Sequence, residues 1–191
     1  MEKCRLFTAK LSEMYKLKAL PRTGWLRKDV QTPESVAAHS WGLALLAVLL
    51  TPPGLDRLRV LEIASLHDLA EAEVGDLTPQ DGISAGQKHS LETLALNRLS
   101  SGLGEAGGLL KERFEEYQRN RTPEARFVHA LDKLDMALQA LSYQREYPRA
   151  DFGEFIATSL NYYAEQGLDR SFPELYELLR EIASEAASLR R

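Results

Sequence analysis

Apolar residues along this chain recur at three- and four-residue intervals in blocks set apart by proline and glycine, with no sustained period-two run between hairpin turns. That pattern predicts helices throughout and an all-α fold. An opening helix is expected over roughly residues 3–18, ahead of the connector Pro21-Arg22-Thr23-Gly24-Trp25. A second begins after Thr32 with Pro33 in its first turn, where the missing N–H costs nothing, and Pro52-Pro53-Gly54 stops it. A third runs from about Leu55 to Glu73, and Gly75 and Pro79 then open a loop over roughly residues 74–83. Further helices are expected from about Ser84 to Ser101, from beyond Gly107-Gly108 to about Arg119, from Thr122-Pro123 to Tyr147, from Phe152 to Gln166 and from Pro173 to Leu189. The glycines over residues 102–108 read as a loop rather than a domain linker.

Two apolar faces carry polar intruders. In the second helix Val36, Leu43, Ala47 and Leu50 form a stripe, and His39 falls within it at i+3 from Val36 and i−4 from Leu43. Alone, His39 reads first as a hydrogen-bonded core residue and second as a ligand. In the third helix Val60, Ala64, His67 and Glu71 share a face, with Asp68 beside them, so an apolar stripe runs into a charged cluster within one turn. Buried carboxylates must be paired, hydrogen-bonded or bound to a metal. A divalent cation resolves the conflict; a helix end turned to solvent is the plain alternative. Adjacent His67 and Asp68 diverge by about 100° on a helix, yet both reach an ion placed between their directions. Remaining ligands must come from other helices: His39 is one, and the stripe Phe127, Leu131, Leu134 and Leu138 carries Asp132 and Asp135, between which spacing does not choose.

Composition narrows the function classes. At 191 residues and 44% hydrophobic, the chain has the size and balance of one globular domain, taken here as residues 1–191. With 24 Lys+Arg against 28 Asp+Glu and no long basic run apart from Arg190-Arg191, it does not read as a binder of polymeric nucleic acid. The single Cys4 excludes an intramolecular disulfide and any CxxC zinc motif, which fits a reducing cytoplasm. The charged, amphipathic start does not read as a signal peptide, and the most apolar segment, Val36 to Leu50, is shorter than a membrane span.

The order His39, His67-Asp68, Asp132 resembles the H…HD…D signature of the HD-domain metal-dependent phosphohydrolases. Pro21-Arg22-Thr23-Gly24-Trp25, Pro33-Glu34-Ser35-Val36, Glu71, Val74-Gly75-Asp76, Leu131-Asp132 and Leu138-Gln139-Ala140 resemble the 5′-deoxynucleotidases within it, most closely the HD domain-containing protein 2 group. The resemblance spans nearly the whole chain. It implies an HD-domain bundle of seven to eight helices, a divalent cation (manganese, cobalt, zinc or magnesium) on His39, His67, Asp68 and Asp132, and a homodimer, with the later amphipathic helices as contact surfaces. It implies that Glu71 and Asp76 are catalytic carboxylates, or that with the carbonyl of Leu77 they hold a second cation. Bacterial deoxynucleotidases have an Arg-Trp pair where this chain has Gly24-Trp25. Trp25 is accordingly expected to face the sugar and Arg22 to reach the phosphate, while Trp25 as an aromatic plug is the structural alternative. Lys88 is a further candidate phosphate contact, and Glu92 reads as a solvated-face residue.

The reaction implied is hydrolysis of a 5′-deoxyribonucleoside monophosphate to deoxynucleoside and phosphate, since a bound cation acidifies water and neutralises phosphate oxygens. An HD-type phosphodiesterase or pyrophosphohydrolase on another nucleotide is the nearest alternative. A non-catalytic, metal-stabilised helical binding protein is the other, and it has no use for Glu71 and Asp76.

Overall fold

The computed structural model describes residues 1–189; the terminal pair Arg190-Arg191 lies outside the described residues. Its helices are α1 (Glu2–Met14), α2 (Thr23–Leu26), α3 (Val36–Leu50), α4 (Arg57–Leu66), α5 (Glu71–Val74), α6 (Ala85–Ser100), α7 (Glu105–Arg119), α8 (Pro123–Glu146), α9 (Gly153–Gln166), α10 (Leu168–Ser171) and α11 (Pro173–Ser188). Eight of them have ten residues or more, and among the described residues no strand forms beyond an isolated bridge between Pro21 and Ser35. The all-α expectation holds. No helix of the described residues is long and apolar enough to cross a membrane.

Capping explains most of the boundaries. Thr122 accepts from Ala125 N and Pro123 follows as the first helical residue, which starts α8. Asp56 accepts from Leu58 N and Arg59 N to start α4, and Ser84 with Gln87 forms a reciprocal capping box on α6.

Three expectations shift. The second helix starts at Val36 rather than near Pro33, because Ser35 is the cap and residues 34–36 are tied as extended chain to residues 20–22 by Arg22 N–H to Glu34 O and Val36 N–H to Leu20 O. The third helix ends at Leu66; from there the N–H groups of Leu69, Glu71, Ala72 and Glu73 reach back three residues instead of four, a tightened turn that carries His67 and Asp68. The glycines at 107 and 108 lie inside α7, not in a loop, because a Cβ on Gly107 would stand 2.3 Å from the Ser100 carbonyl oxygen. That close approach lets α7 pack on the end of α6.

The long helix α8 is the axis of the molecule, packed by α3, α4, α7, α9 and α11. Around it one apolar cluster gathers Leu43, Ile63, Leu131, Leu134, Tyr163 and Leu179; a second gathers Leu17, Val36, Leu69, Leu96, Leu99 and Phe114. His39 lies between Val36 of one cluster and Leu43 of the other, and His67 between Ala64 and Leu69 likewise. The polar cluster is therefore seated at the seam of two cores. The apolar faces of α9 and α11 are spent inside, on Ile156, Tyr163, Leu175, Leu179 and Ile182. The surplus apolar face is instead on α3, where Trp41 and Leu49 are 69% and 67% exposed beside Leu45 and Val48. Leu138, expected in the core stripe, is also exposed near Leu46 and Leu178.

Gly107→Ala should destabilise the protein by about 2 kcal/mol, lowering Tm by roughly 4–8 °C, because backbone rather than a mobile side chain must yield. Gly108→Ala, with open space around its Cβ, should be neutral or stabilising by up to about 1 kcal/mol. Thermal unfolding of the two variants side by side checks the pair.

Candidate metal centre

His39 comes from the middle of α3, His67 from the residue closing α4, Asp68 from the tightened turn and Asp132 from α8, and their ligating atoms converge. Nε2 of His39 lies 3.3 Å from Asp132 Oδ1 and 3.7 Å from Asp68 Oδ2, and Nε2 of His67 lies 3.1 Å from Asp68 Oδ2. His39, His67 and Asp132 offer three ligand atoms within 4.8 Å of one another, a grouping that does not include Asp68, which meets the two histidines.

The other ring nitrogens explain why these atoms are free to ligate. His67 Nδ1 sits 2.9 Å from the Ala64 carbonyl, which only accepts, so the proton is on Nδ1 and Nε2 is turned into the cluster. His39 Nδ1 likewise donates to Asp135 Oδ2 at 2.7 Å. A carboxylate or carbonyl behind the imidazole is the usual support of a metal-bound histidine. Asp135 is thus a supporting residue and Asp132 a facing one, the distinction that spacing left open. Asp132 is oriented in turn: its Oδ2 accepts from Lys133 Nζ at 2.8 Å and from Tyr117 OH at 3.4 Å, leaving Oδ1 toward His39. Glu34, His39 and Asp135 form a second close grouping, but Asp135 takes the His39 Nδ1 proton and Glu34 accepts the Trp25 indole N–H, so it reads as hydrogen-bonded support.

Carboxylates gather at the cluster: Asp68, Glu71, Asp76, Glu92, Asp132 and Asp135 lie in or beside the cleft, with Arg22, Lys88 and Lys133 among them, while Arg27 and Lys28 of the same cleft are paired with Asp81 and Glu154. Burial and Arg22 work against charge on His39, but Asp132 and Asp135 outweigh both and its pKa rises to about 9. Burial also opposes the charge on Asp68 and Asp132; their histidine and cationic neighbours nevertheless hold both below the usual carboxylate range. His39 Nε2, fully buried, has no hydrogen-bond partner among the described residues. Nitrogen and carboxylate donors of this kind suit a borderline-to-hard divalent ion, so the residues fit a metal.

Beside the cluster opens a cleft of about 890 Å³, within the range that binds small ligands. Glu71 lines it, nearly buried, with one carboxylate oxygen unpartnered; burial, then Asp68 and Asp76, push its carboxyl well above the usual range. Asp76 is fixed by the opposite loop: its Oδ2 accepts from Thr23 N–H at 2.6 Å, and Thr23 Oγ1 donates to its carbonyl at 2.7 Å. Lys88 Nζ donates to the Leu77 carbonyl at 2.9 Å and lies 3.6 Å from Glu71 and 3.5 Å from Glu92. Its ammonium thus already occupies acceptors that a second cation on Glu71, Asp76 and Leu77 would use. Arg22 lines the cleft with Nη1 3.4 Å from Asp68 Oδ2. Trp25 borders the cleft, yet it is 1% exposed and its Nε1–H is given to Glu34, so it anchors the loop as a plug.

Glu92, expected on a solvated face, is buried in the cleft wall, held by Lys88 and by Gln118 Nε2 at 3.3 Å. A signal was present: Glu92 stands at i, i+3, i+4 and i+7 with Ala95, Leu96 and Leu99, the buried stripe of α6. Tyr117, unmarked by any motif, packs its ring 5.0 Å from His67 and stacks on His129 at 3.9 Å. Lys133 and Phe155 line the cleft without any local sequence feature to single them out.

Comparison with known proteins shows the family of the whole chain. The family profile described as HD domain matches residues 14–175. The chain is 34% identical over 177 residues to the 5′-deoxynucleotidase HDDC2 of Homo sapiens, covering 90% of this chain and 82% of that protein. It is 38% identical over 137 residues to the 5′-deoxynucleotidase hdd1 of Schizosaccharomyces pombe, covering 69% of each. A solved structure of a conserved hypothetical protein from Pyrococcus furiosus has a TM-score of 0.76 at 33% identity, over 91% of this chain and 99% of that one.

Asp135→Ala should weaken divalent-ion affinity by about ten- to a hundredfold, since the His39 ring loses its support. With the ion-free His39 pKa at about 9, a cation taking Nε2 at pH 7 must displace a proton. The calorimetric heat of metal uptake should therefore depend on buffer ionisation at pH 7. That dependence should fade as pH rises through about 9, with apparent affinity increasing over the same range.

Proposed function

The chain belongs to the HD-domain family, and on that footing we propose that it is a metal-dependent 5′-deoxynucleotidase, hydrolysing 5′-deoxyribonucleoside monophosphates to deoxynucleosides and phosphate. The observation that carries the reading is the pairing of the buried His39, His67 and Asp132 grouping, with Asp68 beside its histidines, and two further carboxylates, Glu71 and Asp76, lining one cleft. The whole chain, residues 1–191, is read as one HD domain acting in the cytoplasm, where the exposed thiol of Cys4 stays reduced. Neither a membrane nor polymeric nucleic acid is assigned as partner.

We assign the ligands as His39, His67, Asp68 and Asp132, for manganese, cobalt, zinc or magnesium. When bound, the cation supplies positive charge to phosphate oxygens and acidifies water. Arg22 adds charge beside Asp68 for the phosphate, and Lys88 does so from the facing wall. Asp76, fixed by Thr23, takes a proton from the attacking water. Glu71, a buried carboxyl that favours its protonated form, gives a proton to the departing 5′ oxygen as the P–O bond breaks. Protons and charge then balance, and the two carboxyls end with roles exchanged. A second cation on Glu71, Asp76 and the Leu77 carbonyl would have to displace the Lys88 ammonium, which favours the acid–base assignment. Trp25 backs the sugar side of the cleft from beneath rather than by a polar contact.

A phosphodiesterase or pyrophosphohydrolase acting on another nucleotide would use the same cluster and would prefer those substrates in the same assay. A metal-stabilised binding protein leaves the buried, unpartnered Glu71 oxygen without a purpose.

The protein should release phosphate from 5′-deoxynucleotides, with loss of activity on chelation and in Asp68→Ala. Glu71→Gln should lower kcat by about 10²–10⁴-fold and remove a pH limb lying above the ordinary carboxylate range. No release across a metal-replete panel of 5′-deoxynucleotides would sink the reading.

A homodimer is proposed through the outer face of α3, where Trp41, Leu45, Val48 and Leu49 repeat at i, i+4, i+7 and i+8 and are all exposed. Leu49→Lys should give monomers in sedimentation velocity with the helical content unchanged. A wild-type monomer at micromolar concentration would count against the dimer.

A further inference from the structure

We propose that Phe155 and Met136 form the nucleobase subsite, a stacking wall that holds the base of the substrate by its face rather than by its edge. The inference rests on the deoxynucleotide reading of the cleft and adds the residues that take the base.

Most of the cleft lining is charged, with Arg22, Asp68, Glu71, Lys88, Asp132 and the Lys28–Glu154 pair, whereas Trp25, Met136 and Phe155 are its large apolar side chains. Met136 follows Asp132 by four residues on α8, so it shares that helix face about 6 Å further along the axis. A phosphate held at the charged end thus places the far side of its sugar over Met136. Phe155, from α9, has its ring centroid 4.3 Å from that of Trp25 at an interplanar angle of 41°. It also packs so close to α2 that a Cβ on Gly24 would stand 3.3 Å from its Cε1. The buried Trp25 and the bare Gly24 backbone therefore fix Phe155 from behind, and the same ring borders the cleft.

The other aromatic rings are committed elsewhere. Tyr117 has His129 stacked on it at 3.9 Å and 9°, and His67 packed 5.0 Å away. His89 stacks on Phe114, centroids 6.4 Å apart, at the exposed rim. Another part of the lining is ionic, with Glu92 bonded to both Lys88 and Gln118, and a base laid there would displace those bonds without replacing them. Besides the buried Trp25, Phe155 is the cleft-lining aromatic ring with no ring stacked over it among the described residues, and with Met136 it offers an apolar platform larger than Leu77 or Ala85; base–aromatic stacking tolerates every base because each has a π face. Neither Phe155 nor Met136 offers a group to read the edge of a base, so the wall grades bases by stacking area, purines above pyrimidines.

The test compares 2′-deoxynucleoside 5′-monophosphates with 2-deoxyribose 5-phosphate, which lacks the base. In Phe155→Ala the ratio of kcat/KM for the nucleotide to that for the sugar phosphate should fall by about tenfold, through KM rather than kcat. Phe155→Leu, which keeps an apolar filler behind Trp25, should lose most of the same ratio and covers the case in which the alanine variant does not fold. A second readout is independent of turnover. The chain has two tryptophans, so Trp41→Phe leaves Trp25 as the sole indole, and a deoxynucleoside without phosphate should perturb its fluorescence saturably, about tenfold more weakly after Phe155→Leu. An enzyme that hydrolyses deoxynucleotides but keeps the same ratio in both Phe155 variants overturns the stacking wall. An enzyme that hydrolyses no deoxynucleotide overturns the proposed function instead, and the fluorescence titration then decides whether the wall binds a base.

Discussion

Two imidazoles and a set of carboxylates are buried where two apolar clusters meet, and the rest of the molecule is arranged around keeping them there. Unpaired, such charges cost several kcal/mol each to desolvate. Here Ala64 O and Asp135 take the Nδ1 protons of His67 and His39, Lys133 and Tyr117 take one oxygen of Asp132, and Arg22 approaches Asp68. Each contact satisfies the side of a group that faces the protein and leaves the opposite side toward the common centre. The cluster is thus held from outside and incomplete inside, which is the electrostatic condition for holding a cation.

The same constraint accounts for the odd geometry nearby. His67 and Asp68 diverge by about 100° or more at the backbone, yet their side chains turn toward one point, with Asp68 Oδ2 3.1 Å from His67 Nε2. The two ends of the connector, residues 20–22 and 34–36, are pinned to each other around α2, and Thr23 then reaches across to Asp76 by two hydrogen bonds. The loop carrying one carboxylate and the connector carrying Arg22 are thereby a single hydrogen-bonded unit. Its floor is Trp25, whose indole is tied to Glu34 and whose ring packs on Tyr143 and Phe155.

Much of this was legible in the residues. The three- and four-residue spacing of apolar positions determined the eight long helices, because one-sided burial of a helix leaves that period in any sequence. His39 and His67 stood out because each interrupts an apolar stripe. Helix ends that depend on a neighbour were not legible: Gly107 looks like a breaker until Ser100 of the adjacent helix is beside it. The later helices look amphipathic in the same way whether they cover a core or a partner, and only packing showed α9 and α11 buried and α3 exposed.

By itself, then, the chain determined its helical class, its core stripes and the residues able to bind a cation, since those follow from local period and from the cost of burying charge. Helical spacing did not separate Asp132 from Asp135; the tertiary structure set Asp132 toward His39 Nε2 and Asp135 on its Nδ1, and it alone placed Glu92 in the cleft wall, buried Trp25 as a plug and set Lys88 among the acceptors of the second candidate site. Those distinctions depend on distances between helices far apart in sequence, and a spacing of three or four residues carries no information about what the facing helix presents.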